Sequence, residues 1–75
     1  MKKLKIEKVR EILGKRIRKK RRELDITQNE LGKRIGCVTS FICEMEKGRR
    51  SMSTENLYKL ECVLGPLWGN YDPEA

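Results

Sequence analysis

Between Gln28 and Met45 the chain spaces its apolar and its smallest residues in a pattern that few folds satisfy. Counting Gln28 as position one, apolar side chains stand at four (Leu31), eight (Ile35), fifteen (Ile42) and eighteen (Met45), and glycines at five (Gly32) and nine (Gly36). Intervals of three and four place each apolar set on one helical face. Gly36 follows the first set directly, where a left-handed residue closes a helix. Thr27 and Glu30 have the spacing of a capping box, so the spacing predicts a helix that starts at Gln28 and lasts about two turns. After the Gly36-Cys37 turn, Phe41, Ile42 and Met45 form an inward cluster, while Thr39, Ser40, Cys43 and Glu44 face elsewhere. Lys47-Gly48-Arg49-Arg50 ends that third helix and opens a basic loop to about Met52. Gly32 is expected where the crossing of the two short helices is closest.

The flanks supply two more helices. Ile6, Val9, Leu13, Ile17 and Leu24 follow a helical stripe. Gly14 lies inside it at a cost of about 1 kcal/mol relative to alanine. The first helix is therefore expected over residues 13–24, with 1–12 as a basic extension or arm. Met52 and Leu57 bracket Ser53 as a hydrophobic staple around a serine cap, and Leu57, Leu60 and Leu64 continue that helix's buried face. Gly65-Pro66 stops it, and a last short helix is expected through Leu67, Trp68 and Tyr71, with 72–75 frayed. At 75 residues the chain supports one small core. The fold class expected is all-α, a compact bundle of four to five short helices, with the domain over residues 13–71.

Charge is unevenly placed. Residues 1–24 hold 12 basic and 3 acidic side chains, residues 25–50 hold 5 and 4, and residues 51–75 hold 1 and 4. A cationic first half with an acidic tail suits a polyanionic partner, nucleic acid or an anionic membrane surface. No run approaches the roughly 18 apolar residues of a spanning helix. The basic start Met1-Lys2-Lys3 has no apolar stretch or cleavage site behind it, which sets a cytoplasmic protein as the expectation. Cys37, Cys43 and Cys62 are odd in number, none is in a CxxC, and there is no histidine. Neither a disulfide framework nor a zinc site is supported. The usual general base and nucleophile pairs are missing too, as is any phosphate-binding glycine loop. The expectation is no enzyme, no metal and no cofactor.

Two short helices joined by a tight glycine turn beside a basic first helix look like a DNA-binding helix-turn-helix. The stretch Leu13-Gly14-Lys15-Arg16-Ile17-Arg18, then Arg21, Thr27-Gln28-Asn29-Glu30-Leu31, Ile42 and Glu46-Lys47-Gly48-Arg49-Arg50 resembles the Cro/repressor-type (XRE) regulators of phages and bacteria. The resemblance covers about residues 13–64. It implies a lambda repressor-like domain and a dimeric transcriptional regulator.

It also implies residue roles. Arg21 and Glu46 match a pair joining the first helix to the end of the third. Gln28 matches a glutamine that bonds a phosphate and braces the third helix; Thr27 stands beside it. Val38, Thr39, Ser40, Cys43 and Glu44 fall at base-reading positions of the third helix, and Lys33, Arg34, Lys47, Arg49 and Arg50 at phosphate anchors. Val38 departs from the usual capping serine or threonine, which leaves Thr39 as a possible cap. Glu44 departs from a basic or amide residue and would need a cytosine or Lys47 to take its charge. Leu64, Leu67, Trp68 and Tyr71 are expected at a dimer interface.

The function expected is therefore a homodimeric repressor reading a palindromic operator on double-stranded DNA. Neither a membrane partner nor a small-molecule effector is expected. The alternative is a protein-interaction adaptor, antitoxin-like or coactivator-like, on the same scaffold. A basic helix lying on a membrane and a non-specific DNA coater complete the readings.

Overall fold

A computed structural model describes residues 5–67 of the chain. It holds four helices in sequence, α1 (Ile6–Glu23), α2 (Gln28–Ile35), α3 (Thr39–Glu46) and α4 (Thr54–Leu64), with no strand among the described residues. α3 packs against α1 and α2, and α4 packs against the same two. Their shared core is Ile17, Ile26, Leu31, Ile35, Ile42, Met45, Leu60, Leu64 and Leu67. Each fully buried member contributes about 1.5–3 kcal/mol through removal from water.

The ends of these helices follow from local chemistry. The Thr27 hydroxyl accepts from the Glu30 amide at 3.0 Å, and Glu30 Oε1 accepts from the Thr27 amide at 2.9 Å, closing the capping box. The Thr27 amide first, and the Thr27 hydroxyl after it, hold the Glu30 carboxyl below its ordinary range. α2 ends at Gly36, with φ 74°. Ser53 Oγ accepts from the Asn56 amide at 3.0 Å and starts α4, with Met52 and Leu57 both packed on the core.

Three features differ from the sequence reading. α1 begins at Ile6, not near Leu13, and runs unbroken through Gly14. A Cβ at Gly14 would lie 2.5 Å from the Met45 carbonyl oxygen and 2.7 Å from that of Glu46, so this glycine is where α1 crosses the end of α3. At Gly32 the nearest obstacle to a Cβ is the Cys37 carbonyl oxygen at 2.5 Å; Ile42 stands at ordinary contact distance, 3.6 Å. The small residue there accommodates the returning turn, not a helix crossing. Finally, α1 closes through Asp25 at φ 57°, with the Ile26 amide donating to the Arg21 carbonyl and the Asp25 amide to that of Arg22. Aspartate tolerates the left-handed region better than most residues, so a glycine-type cap forms without glycine.

The segment after α4 is clasped to the bundle. Arg16 NH1 donates to the Leu67 carbonyl at 2.7 Å, and the Leu67 amide donates to Glu61 Oε2 at 3.0 Å. Leu64 is 5% exposed and Leu67 1%. Both therefore belong to this chain's own core, which corrects their expected place at a dimer interface. Trp68, Tyr71 and the expected last helix beyond Leu67 lie outside the described residues, as do Lys2 and Lys3.

Candidate nucleic-acid interface

The C-terminal end of α3 is fixed by a buried charge. Glu46, with its side chain 4% exposed, accepts from Arg21 Nε at 2.6 Å, from Arg21 NH2 at 3.1 Å and from Gln28 Nε2 at 3.1 Å. Arg21 NH1 donates to the Ile26 carbonyl at 2.8 Å. One guanidinium thus ties α1, the α1–α2 connection and α3 together, and its bond to Glu46 raises its pKa above the ordinary arginine value. No buried side-chain nitrogen or oxygen is left without a partner among the described residues. Such a pair is costly to break from the arginine side, since Glu46 alone is a buried, uncompensated charge.

At its other end α3 is open. Val38 is the N-cap and its side chain caps nothing, so Thr39 is the first helical residue and not the cap. The Thr39 hydroxyl donates to Asn29 Oδ1 at 3.1 Å, bridging α2 and α3. Val38, Thr39 and Ser40 are exposed, and Cys43 and Glu44 are half-buried.

Two hollows divide these residues. One groove is lined by Arg18, Arg22, Thr27, Gln28, Asn29, Thr39, Cys43 and Lys47. It brings expected phosphate anchors and expected base readers to one surface. A second hollow, beside it on α3, collects Val38, Ser40, Phe41, Arg50 and Asn56. There the Arg50 guanidinium lies 5.8 Å from the Phe41 ring centroid, a cation–π contact that orients an exposed cation. Glu44 meets neither a bare surface nor Lys47: Arg49 NH1 lies 3.7 Å from its carboxylate. Lys33 and Arg34 are exposed in the last turn of α2, where positive charge also complements the helix dipole.

Arg18, Arg22 and Asn29 are given no site role by the sequence. Arg18 and Arg22 stand four apart on α1 and share its face with Lys15, a spacing that was available to read. Asn29 sits next to Gln28, but its bond to Thr39 depends on the turn geometry and has no signal in the spacing.

No helix among the described residues is long and apolar enough to cross a membrane. No group of three or more His, Cys, Asp or Glu side chains there could hold a metal ion.

A family model described as helix-turn-helix matches residues 17–67 of the chain. An uncharacterized HTH-type transcriptional regulator of Sinorhizobium fredii is 33% identical to it over 57 residues, 76% of this chain and 74% of the relative. Another, from Methanothermobacter thermautotrophicus, is 41% identical over 49 residues, 65% of this chain and 71% of the relative.

Proposed function

The chain belongs to the helix-turn-helix family of transcriptional regulators, and from that premise we propose that it binds double-stranded DNA sequence-specifically, as a homodimeric repressor on a palindromic operator. The observation that carries this reading is the asymmetry of α3. Its C-terminal end is locked by Arg21 and Gln28, while its first turns present polar side chains to solvent beside a basic groove. A rigid helix with a free polar face matches what direct readout in a major groove requires.

In this reading Ser40 and Glu44 bond base edges, with Glu44 released from Arg49 to accept from a cytosine amino group. Val38 and Cys43 pack against thymine methyls. Thr39 keeps its oxygen as an acceptor while its proton is given to Asn29. Thr27, Gln28, Lys33, Arg34, Lys47, Arg49 and Arg50 hold phosphates and set register. A two-fold dimer then reads two half-sites about one helical turn apart, and occupancy of a promoter represses it. With Leu64 and Leu67 in the core, Trp68 and Tyr71 carry the apolar part of the dimer contact.

An unpaired carboxylate at Glu44, beside expected phosphates, would favour the adaptor alternative. Its contact with Arg49 weakens that alternative.

The test is selection of bound duplexes from a random-sequence pool, then titration of the selected duplex against its scramble at fixed salt. A palindrome bound at least about a thousandfold more tightly supports the proposal. Binding without enrichment overturns it in favour of a DNA coater, and no binding favours the adaptor.

A further inference from the structure

We propose that the exposed face of α1 carrying Lys15, Arg18 and Arg22 is a second phosphate-tracking surface, which extends the contact with duplex DNA beyond the helix-turn-helix itself. The inference rests on the DNA-binding reading above. It assigns a role to a helix that the reading uses only for Arg21 and for the wall of the groove.

Three observations place this face on the DNA side. Arg18 and Arg22 line the groove that also holds Gln28 and Thr39. Lys15 and Arg18 line a further hollow with Lys47 and Arg49, the basic residues after α3. The α3–α4 loop is seated there by Gly48, where a Cβ would come within 3.0 Å of the Glu11 Cα. The stripe therefore continues the expected anchor surface without a gap.

The charges on it are also unspent. Lys15, Arg18 and Arg22 are exposed and make no ion pair among the described residues. By contrast, Lys20, which points away from this stripe, is 3.8 Å from Glu23. Like charges three and four apart destabilise a helix, and no ion pair among the described residues relieves them, although Glu11 and Glu23 border hollows that they line. Glu46, which borders both hollows, is already taken by Arg21 and Gln28, and Glu11 lies 3.5 Å from Lys8. An external polyanion is the partner that suits three exposed cations on one face. From Lys15 to Arg22 the helix rises about 10 Å, the span of roughly three phosphates at about 3.4 Å of axial rise per strand.

The experiment compares Arg18→Gln/Arg22→Gln with a control of equal charge loss, Lys20→Gln/Lys59→Gln, in the full chain. Affinity for the selected duplex and for its scramble is measured across a salt series, and a thermal melt verifies that each variant is folded. At about 0.9 in log K against log salt for each phosphate contact, the arginine pair is expected to lower the slope by about 1.8 per bound protomer, about 3.6 for the dimer on its operator. The selected-to-scramble ratio should change less than about twofold, since phosphate contacts carry no base information. The control should leave the slope as in the parent. An unchanged slope in the arginine variant, or an equal fall in the control, overturns the stripe. Failure of the parent to prefer any duplex overturns the proposed function alone, because the slope on scrambled DNA still tests the stripe. If the parent binds no duplex, both fall.

Discussion

At its C-terminal end α3 is held by Glu46, whose buried carboxylate takes three hydrogen bonds from α1 and α2, whereas at its N-terminal end the same helix starts from Val38, which is 68% exposed and caps nothing. An eight-residue helix is too short to be stable by itself. It persists because Ile42 and Met45 are buried and because the Glu46 end is pinned. The free end is then available to touch something else. Stability and recognition are thus assigned to opposite ends of one helix, and substitutions at each end should differ in kind.

The largest effect is expected at the pinned end. Arg21→Met leaves Glu46 buried without its cation and should cost about 3–5 kcal/mol in urea unfolding. Arg21→Met with Glu46→Leu should recover much of that, because an apolar pair has no charge to desolvate. Failure of the double variant to recover would mean that Gln28 and Ile26, which lose their partners too, matter as much as the charge.

Next is the crossing that sets the pinned end against α1. Gly14→Val places methyl groups against the Met45 and Glu46 carbonyls, and overpacking of this kind costs about 1–3 kcal/mol. Alanine at the same position tests the sequence-level view of Gly14 as a weak helix former. If alanine stabilises, propensity outweighs the close approach; a loss of stability is the expected outcome.

At the open end the sign reverses. Val38→Ser supplies the missing cap and should add about 1 kcal/mol to stability. The smallest effect concerns the capping box of α2. Because the Glu30 carboxyl is held below its ordinary range by Thr27, its stabilisation is complete above the ordinary glutamate pKa of about 4.3 and is lost as pH falls through the lowered value. Glu30→Gln should therefore flatten the acid limb of the urea midpoint against pH, with little change near neutrality.

Much of this fold was legible because its signals are local. The Thr27–Glu30 box, Gly36 after Ile35, and Ser53 between Met52 and Leu57 each specify a boundary from a few adjacent residues, and α2 begins and ends, and α4 begins, where those residues place them. What was not legible depended on contacts between distant segments. Gly14 reads as a weak point until the end of α3 is set against it. Leu67 reads as spare apolar surface until Arg16 is seen holding its carbonyl. Asp25 gives no glycine signal for the left-handed residue that ends α1. For the candidate interface, Gln28 and the residues of α3 were named from the family resemblance. The groove wall made by Arg18 and Arg22 required knowing which face of α1 turns toward α2.

The central claim is that the free turns of α3 read bases while its fixed end only holds it. It is tested most directly by titrating the selected duplex and its scramble with the parent chain and with Ser40→Ala/Glu44→Ala, alongside thermal melts. The expected result is a fall in the selected-to-scramble ratio by about tenfold or more, each lost base contact being worth about 1–3 kcal/mol, with the melting temperature close to the parent's. An unchanged ratio in a folded variant would contradict the account, because the exposed polar face of α3 would then carry no sequence information.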